Sequence, residues 1–86
     1  HYSKALFIIS DRSEEITQRL LKETDRGVTG IPVVGKYTGQ SREMLYVVMS
    51  VKETVEAKRI VKEIDPTAFM MITDTQEVLG EGFSEH

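Results

Sequence analysis

Three short apolar runs constrain this 86-residue chain most: Leu6-Phe7-Ile8-Ile9, Met44 to Met49, and Ala68 to Thr73. Each is β-prone and bounded by polar residues, so each reads as a strand. None approaches the ~18 consecutive apolar residues that a membrane-spanning helix needs. Two segments of helical period lie between them. Ile16, Leu20 and Leu21 form a narrow stripe in the first. In the second, Ala57, Ile60, Val61 and Ile64 fall at i, i+3, i+4 and i+7, one face of a 3.6-residue repeat.

Local signals refine the boundaries. Lys4 to Ser10 forms the first strand, and its unbroken apolar run predicts a central strand buried on both faces. Asp11 is placed to cap the first helix, with Glu14 three residues on as in a capping box. The helix is expected to end near Asp25 or Arg26, with Gly27 in the left-handed position beyond it. Val28 to Val34 is a weaker strand interrupted by Gly30 and Pro32, and Pro32 assigns it to an edge or a bulge. Gly35 to Arg42 is a turn-rich connection, and Glu43 to Val51 is the strongest strand. Lys52 to Ile64 is the second helix, stopped by Asp65-Pro66 because a residue before proline is pushed out of the α region. After the last strand, Asp74 or Thr75 is expected to cap a short C-terminal turn or helix over Gln76 to Leu79.

The order β-α-β-β-α-β predicts an α+β, ferredoxin-like fold. Its antiparallel four-stranded sheet would carry two helices on one face. Residues 1–86 suit one domain. The four methionines lie within strands and read as core or sheet-face filler. The chain has no initiator methionine and enters its first strand almost at once, so it is expected to derive from a longer polypeptide.

Composition narrows the chemistry. The net charge of −3 disfavours a nucleic-acid binder, which carries a basic excess. There is no cysteine, which removes disulfides, thiolate zinc sites and cysteine nucleophiles. The two histidines are the terminal residues His1 and His86, and are set aside. The carboxylates read as helix caps and helix-start residues rather than a catalytic pair. The expectation is therefore a protein that is not an enzyme, with no catalytic residue, no metal and no cofactor.

One connection carries candidate binding chemistry. Arg26-Gly27-Val28-Thr29-Gly30 and Gly35-Lys36-Tyr37-Thr38-Gly39 place four glycines, two cations, two threonines and a tyrosine in fourteen residues. Glycines admit close backbone approach to an anion, the threonine hydroxyls donate, Arg26 and Lys36 bring charge, and Tyr37 offers a stacking face. The competing reading is conformational: a helix cap, a bulge and a hairpin turn need glycine with no ligand at all. No phosphate-binding G-x-x-x-x-G-K-[ST] pattern is present. A second candidate, Gly80-Glu81-Gly82-Phe83, reads either as a wall of a neighbour's site or as a terminal turn plugged by Phe83.

Several segments together resemble the C-terminal soluble domain of bacterial YitT-type membrane proteins. They are Tyr2-Ser3-Lys4-Ala5, Arg26-Gly27-Val28-Thr29, Tyr37-Thr38-Gly39, Ile64-Asp65-Pro66-Thr67-Ala68-Phe69, and Glu77-Val78-Leu79-Gly80-Glu81-Gly82-Phe83. The resemblance covers essentially the whole chain. It implies a module on the cytoplasmic face of the membrane, attached to an N-terminal membrane domain. One departure is Val33, where the family often has glycine.

The chain is also similar in element order to the PII signalling fold, whose members hold small nucleotides between subunits. That likeness implies a homo-oligomer with a small anionic ligand in a cleft. One wall would be Gly35–Gly39 and the other the segment from Asp74 to Phe83. The cations that hold phosphates in PII proteins have no counterparts here: no glycine–lysine loop lies between Ile64 and Phe69, and no Lys or Arg follows Phe69. The expectation is a regulatory or small-ligand-sensing module binding through Arg26, Gly27, Thr29, Lys36, Tyr37, Thr38, Gly39, Gly80, Gly82 and Phe83. The rival is a ligand-free oligomerisation or protein-docking domain built on the Val28–Val34 edge.

Overall fold

The structure is a computed structural model and describes residues 3–76 with Val78 and Leu79. Six elements follow in order: β1 (Ser3–Ile9), α1 (Ser13–Thr24), β2 (Thr29–Val34), β3 (Ser41–Ser50), α2 (Val51–Ile64) and β4 (Phe69–Asp74). The strands form one sheet in the order β2-β3-β1-β4, and every neighbouring pair is antiparallel. This is the ferredoxin-like α+β arrangement expected from the sequence.

Register decides which side chains meet the helices, because residues directly opposed across antiparallel strands share a face. Leu6 pairs with Val47 and Ile72, and Ile8 with Leu45 and Met70. These side chains meet Ile16 and Leu20 of α1 and Ala57, Ile60, Val61 and Ile64 of α2 in one core. Leu6, Ile8, Ile16, Leu20, Met49 and Ile60 are wholly buried.

Among the described residues, the opposite face of the sheet carries no helix. Two rungs cross it. Thr29, Tyr46, Phe7 and Met71 form one; Ile31, Met44, Ile9 and Phe69 form the other. Phe7 and Tyr46 stack obliquely there, with ring centroids 5.2 Å apart. The expected burial of β1 on both faces is therefore corrected. Phe7 and Ile9 are only half-buried, because both helices occupy the other side. The continuous apolar runs reflect an open face that is itself apolar.

Caps differ from expectation at both ends of α1. Arg12, not Asp11, precedes α1, and its side chain makes no capping hydrogen bond. Asp11 instead accepts a hydrogen bond from Arg42 at 2.9 Å, so the Asp11–Glu14 box does not form. Asp25, rather than Gly27, takes the left-handed conformation at the end of α1, with φ of 57°. Aspartate tolerates that region better than most residues, and it releases Gly27 from the role. The capping box lies on α2. The Ser50 hydroxyl accepts from the Glu53 backbone N–H, and the Glu53 carboxylate accepts from the Ser50 N–H.

Asp74 also departs from its expected capping role. It ends β4 opposite Lys4 and accepts that ammonium at 2.5 Å. No helix follows β4 among the described residues, and the remainder of the expected C-terminal turn lies outside them. On the solvent side of the helices, Arg19 and Arg59 bridge Glu23 on α1 to Glu63 on α2, which ties the pair together.

Candidate functional site

The fourteen-residue stretch from Arg26 to Gly39 divides into two places. Arg26 lies in the link between α1 and β2. Its Nε stands 3.0 Å from both Glu53 carboxylate oxygens, and its Nη2 is 2.8 Å from Oε1. Both side chains are largely buried, so this is an inter-element clamp rather than a surface pair. Burial alone pushes the Glu53 carboxyl upward. The Arg26 and Ser50 hydrogen bonds outweigh it and hold the group below the ordinary glutamate range. Gly27 is half-buried beside Arg26, and Val28 packs against the core.

Thr29 opens β2 and stands on the open face opposite Tyr46. From there the strand runs to Val34 at ~3.3 Å per residue, a span of roughly 17 Å. Lys36, Tyr37, Thr38 and Gly39 lie beyond its far end. Within one copy, the structure therefore does not bring Arg26 and Gly27 together with the hairpin residues.

The hairpin turn is held by its own backbone. Gly35 N–H donates to the Gln40 carbonyl at 2.9 Å, and Gly39 N–H donates to the Gly35 carbonyl at 2.7 Å. The Thr38 hydroxyl accepts from the Gln40 N–H at 3.2 Å. Gly39 has φ of +74°, a conformation that side-chain-bearing residues rarely adopt. These bonds fix the turn and leave Lys36 and Tyr37 outward. Tyr37 is fully exposed, and neither side chain makes a hydrogen bond, ion pair or ring contact among the described residues. Gly80, Gly82 and Phe83, the expected second wall, lie outside the described residues.

Two features went unread in the sequence. One is the Ser50–Glu53 box with its Arg26 clamp, whose S-x-x-E signature was present. The other is a groove of about 430 Å³ between α2 and β4, bordered by Lys58, Val61, Lys62, Ala68, Met70 and Ile72. None of the sequence-predicted site residues lines it. Among the described residues, no group of three or more His, Asp or Glu could hold a metal, and no helix is long and apolar enough to cross a membrane.

Residues 26–80 match the family described as "Uncharacterized protein conserved in bacteria (DUF2179)". A Bacillus sp. (strain PS3) protein, "Uncharacterized protein in cccA 5'region", is 44% identical over 95% of the chain and 55% of its own length. Two Bacillus subtilis membrane proteins of the UPF0750 group also match. YxkD is 41% identical and YitT is 31% identical, each over 93% of this chain and 29% of its own length. The chain thus spans about half of the first relative and under a third of the other two.

Among solved structures, a DUF2179 protein from Eubacterium ventriosum superposes with a TM-score of 0.73 and 34% identity, covering 83% of this chain and 97% of that one. Arabidopsis thaliana PII, solved bound to citrate, superposes with a TM-score of 0.75 at 19% identity, covering 98% of this chain and 83% of that one. The second likeness shows the fold alone. With the family match and the fold in agreement, the chain belongs to the DUF2179 family: it is a PII-like, ferredoxin-type domain homologous to part of the YitT-type membrane proteins.

Proposed function

We propose that this domain is the cytosolic regulatory module of a bacterial membrane protein, sensing a small anionic effector at an interface between copies. The observation that carries the reading is the hairpin tip. Lys36 and Tyr37 are presented on a turn locked by three hydrogen bonds, yet the described fold uses neither side chain. Lys36 supplies charge to an anion, Tyr37 a stacking face, and Thr38 and Gly39 hydroxyl and backbone access. The PII relative was solved with citrate, a small polyanion, and its shared architecture gives the reading a precedent. Arg26, Gly27 and Thr29 stand at the other end of β2. They join the same effector only if it spans copies, or if it draws Arg26 away from Glu53.

Differential scanning fluorimetry tests this. Citrate, nucleotides and cyclic dinucleotides are added to the wild type and to Lys36→Ala/Tyr37→Ala. A stabilising shift that is lost in the double variant supports the sensor.

The second reading is a docking or oligomerisation domain without a ligand. The Arg26–Glu53 clamp favours it, since one of the two expected anion-binding cations already serves the fold. No shift with any anion, from a protein shown to be folded and assembled, selects that reading.

A further inference from the structure

We infer that the groove between α2 and the free edge of β4 receives an extended acidic segment of a partner protein, which adds to the sheet as a fifth strand. The groove shares no residue with the hairpin tip, so this interaction goes beyond the effector reading and stands apart from it.

The edge is open and unprotected. β4 ends the sheet order β2-β3-β1-β4. Thr75 N–H donates to the Ser3 carbonyl at 3.3 Å, in line with the β1–β4 register. Hydrogen-bonded pairs alternate along an antiparallel ladder. Phe69, Met71 and Thr73 therefore turn their backbone N–H and C=O groups toward β1, and Met70, Ile72 and Asp74 turn theirs to the open side. Gly30 and Pro32 blunt the other edge of the sheet, β2. β4 has no glycine, proline, lysine or bulge over Phe69–Asp74. Such an edge is a template for strand addition.

The groove supplies the side-chain contacts. α2 packs over β3 and β1, so the helix side of β4 lies past the helix layer. Ala68, Met70 and Ile72 are consequently only partly buried and form an apolar floor beside Val61. Residues of an added strand that stand opposite Met70 and Ile72 share their face and enter the groove. The intervening residues join Phe69 and Met71, 56% and 44% exposed, on the other side of the sheet. Both sides of the added strand gain apolar neighbours.

Charge sets the chemistry of the partner. Lys58 and Lys62 stand one turn apart on the α2 rim, and neither has a hydrogen bond or ion pair among the described residues. Arg59 beside them is committed to Glu23, Glu56 and Glu63. The groove's carboxylate, Asp65, already accepts from Ser10 and Thr67, and Asp74 at the end of β4 accepts from Lys4. The uncommitted charge is positive, and carboxylates complement it. Other occupants fit less well. A bilayer cannot satisfy the edge's N–H and C=O groups. A second copy paired β4 to β4 about a two-fold axis sets the lysines against their own counterparts. The chain's own Val78 and Leu79 are 41% and 82% exposed, so they do not fill the groove.

The test is selection of randomised displayed peptides against the folded 86-residue chain, followed by fluorescence anisotropy of the enriched peptides. They are expected to be acidic with alternating apolar residues. Lys58→Glu/Lys62→Glu, folded by circular dichroism, is expected to bind them at least tenfold more weakly and to select basic peptides instead, whereas Lys22→Glu on α1 stays within twofold of wild type. N-methylation of the peptide nitrogens that face β4 is expected to cost at least tenfold, and methylation of the alternate nitrogens less than twofold. No enriched peptide, enrichment of basic peptides by the wild type, affinity unchanged by the lysine reversal, or equal effects of the two methylation registers overturns the proposal. An affinity gain of at least tenfold on removing residues 77–86 overturns it in favour of the chain's own end as occupant. Anion-induced shifts report on the sensor separately: shifts without peptide binding remove only this site, and peptide binding without shifts removes only the effector.

Discussion

Arg26 forks onto Glu53, with its Nε 3.0 Å from both carboxylate oxygens, and so ties the entry to β2 to the first turn of α2. Glu53 is already the N3 partner of the Ser50 cap. One carboxylate thus joins a helix cap to a strand entry through an ion pair between two elements of the same chain. Arg26→Ala is expected to destabilise the domain by about 1–2 kcal/mol, because it leaves a part-buried carboxylate without its strongest donor. Arg26→Lys recovers only part of this, since an ammonium lacks the planar fork. Urea denaturation of the three proteins measures both effects.

The same carboxylate gives stability a pH dependence of known sign. Glu53 is held below its ordinary value in the folded chain, so its contribution is complete above the unfolded value of about 4.3 and disappears as pH falls through the folded value. Asp65 moves the same way, lowered by hydrogen bonds from Ser10 and Thr67, and Glu63 is lowered by Arg59 and Arg19. Melting temperature is therefore expected to drop below about pH 4.3. Glu53→Gln should flatten part of that drop, while melting above pH 6 keeps no such slope.

Two glycines of the candidate stretch are expected to behave oppositely. Gly39→Ala forces a Cβ into φ of +74° and should cost about 1 kcal/mol. At Gly30 an added Cβ meets the exposed Glu43 side chain, which is flexible and can swing aside. Gly30→Ala is expected to change stability by less than about 0.5 kcal/mol. Paired thermal denaturation curves separate the two.

In the core, Ile60→Ala removes a wholly buried side chain between α2 and the sheet. A loss of about 2–5 kcal/mol is expected. Val55→Ala, on the outer face of the same helix, should lie within about 0.5 kcal/mol of wild type. Chemical denaturation of both variants checks that α2 packs by the face its sequence period assigns.

The fold was legible because helical and strand periods are local. Ala57, Ile60, Val61 and Ile64 announced the buried side of α2, and Pro32 announced an edge strand. Sheet-face exposure was not legible, since Phe7 and Ile9 look the same in sequence whether a helix or a second subunit covers them. The caps were misplaced where two local signals competed. Asp11 could cap α1 or meet Arg42, and only the tertiary fold brings Arg42 near. The candidate site suffered from the same cause. Arg26 and Lys36 are ten positions apart, yet an intervening strand sends them to opposite ends of the sheet.

The most direct measurement is isothermal titration of the folded, assembled domain with the anions that stabilise it in a thermal screen, comparing wild type with Lys36→Ala/Tyr37→Ala. The hairpin-sensor account predicts saturable binding in the wild type and at least tenfold weaker binding in the variant, with unfolding unchanged within about 0.5 kcal/mol because the described fold does not use those side chains. Equal affinity in the two proteins, or no binding by the assembled wild type, contradicts it.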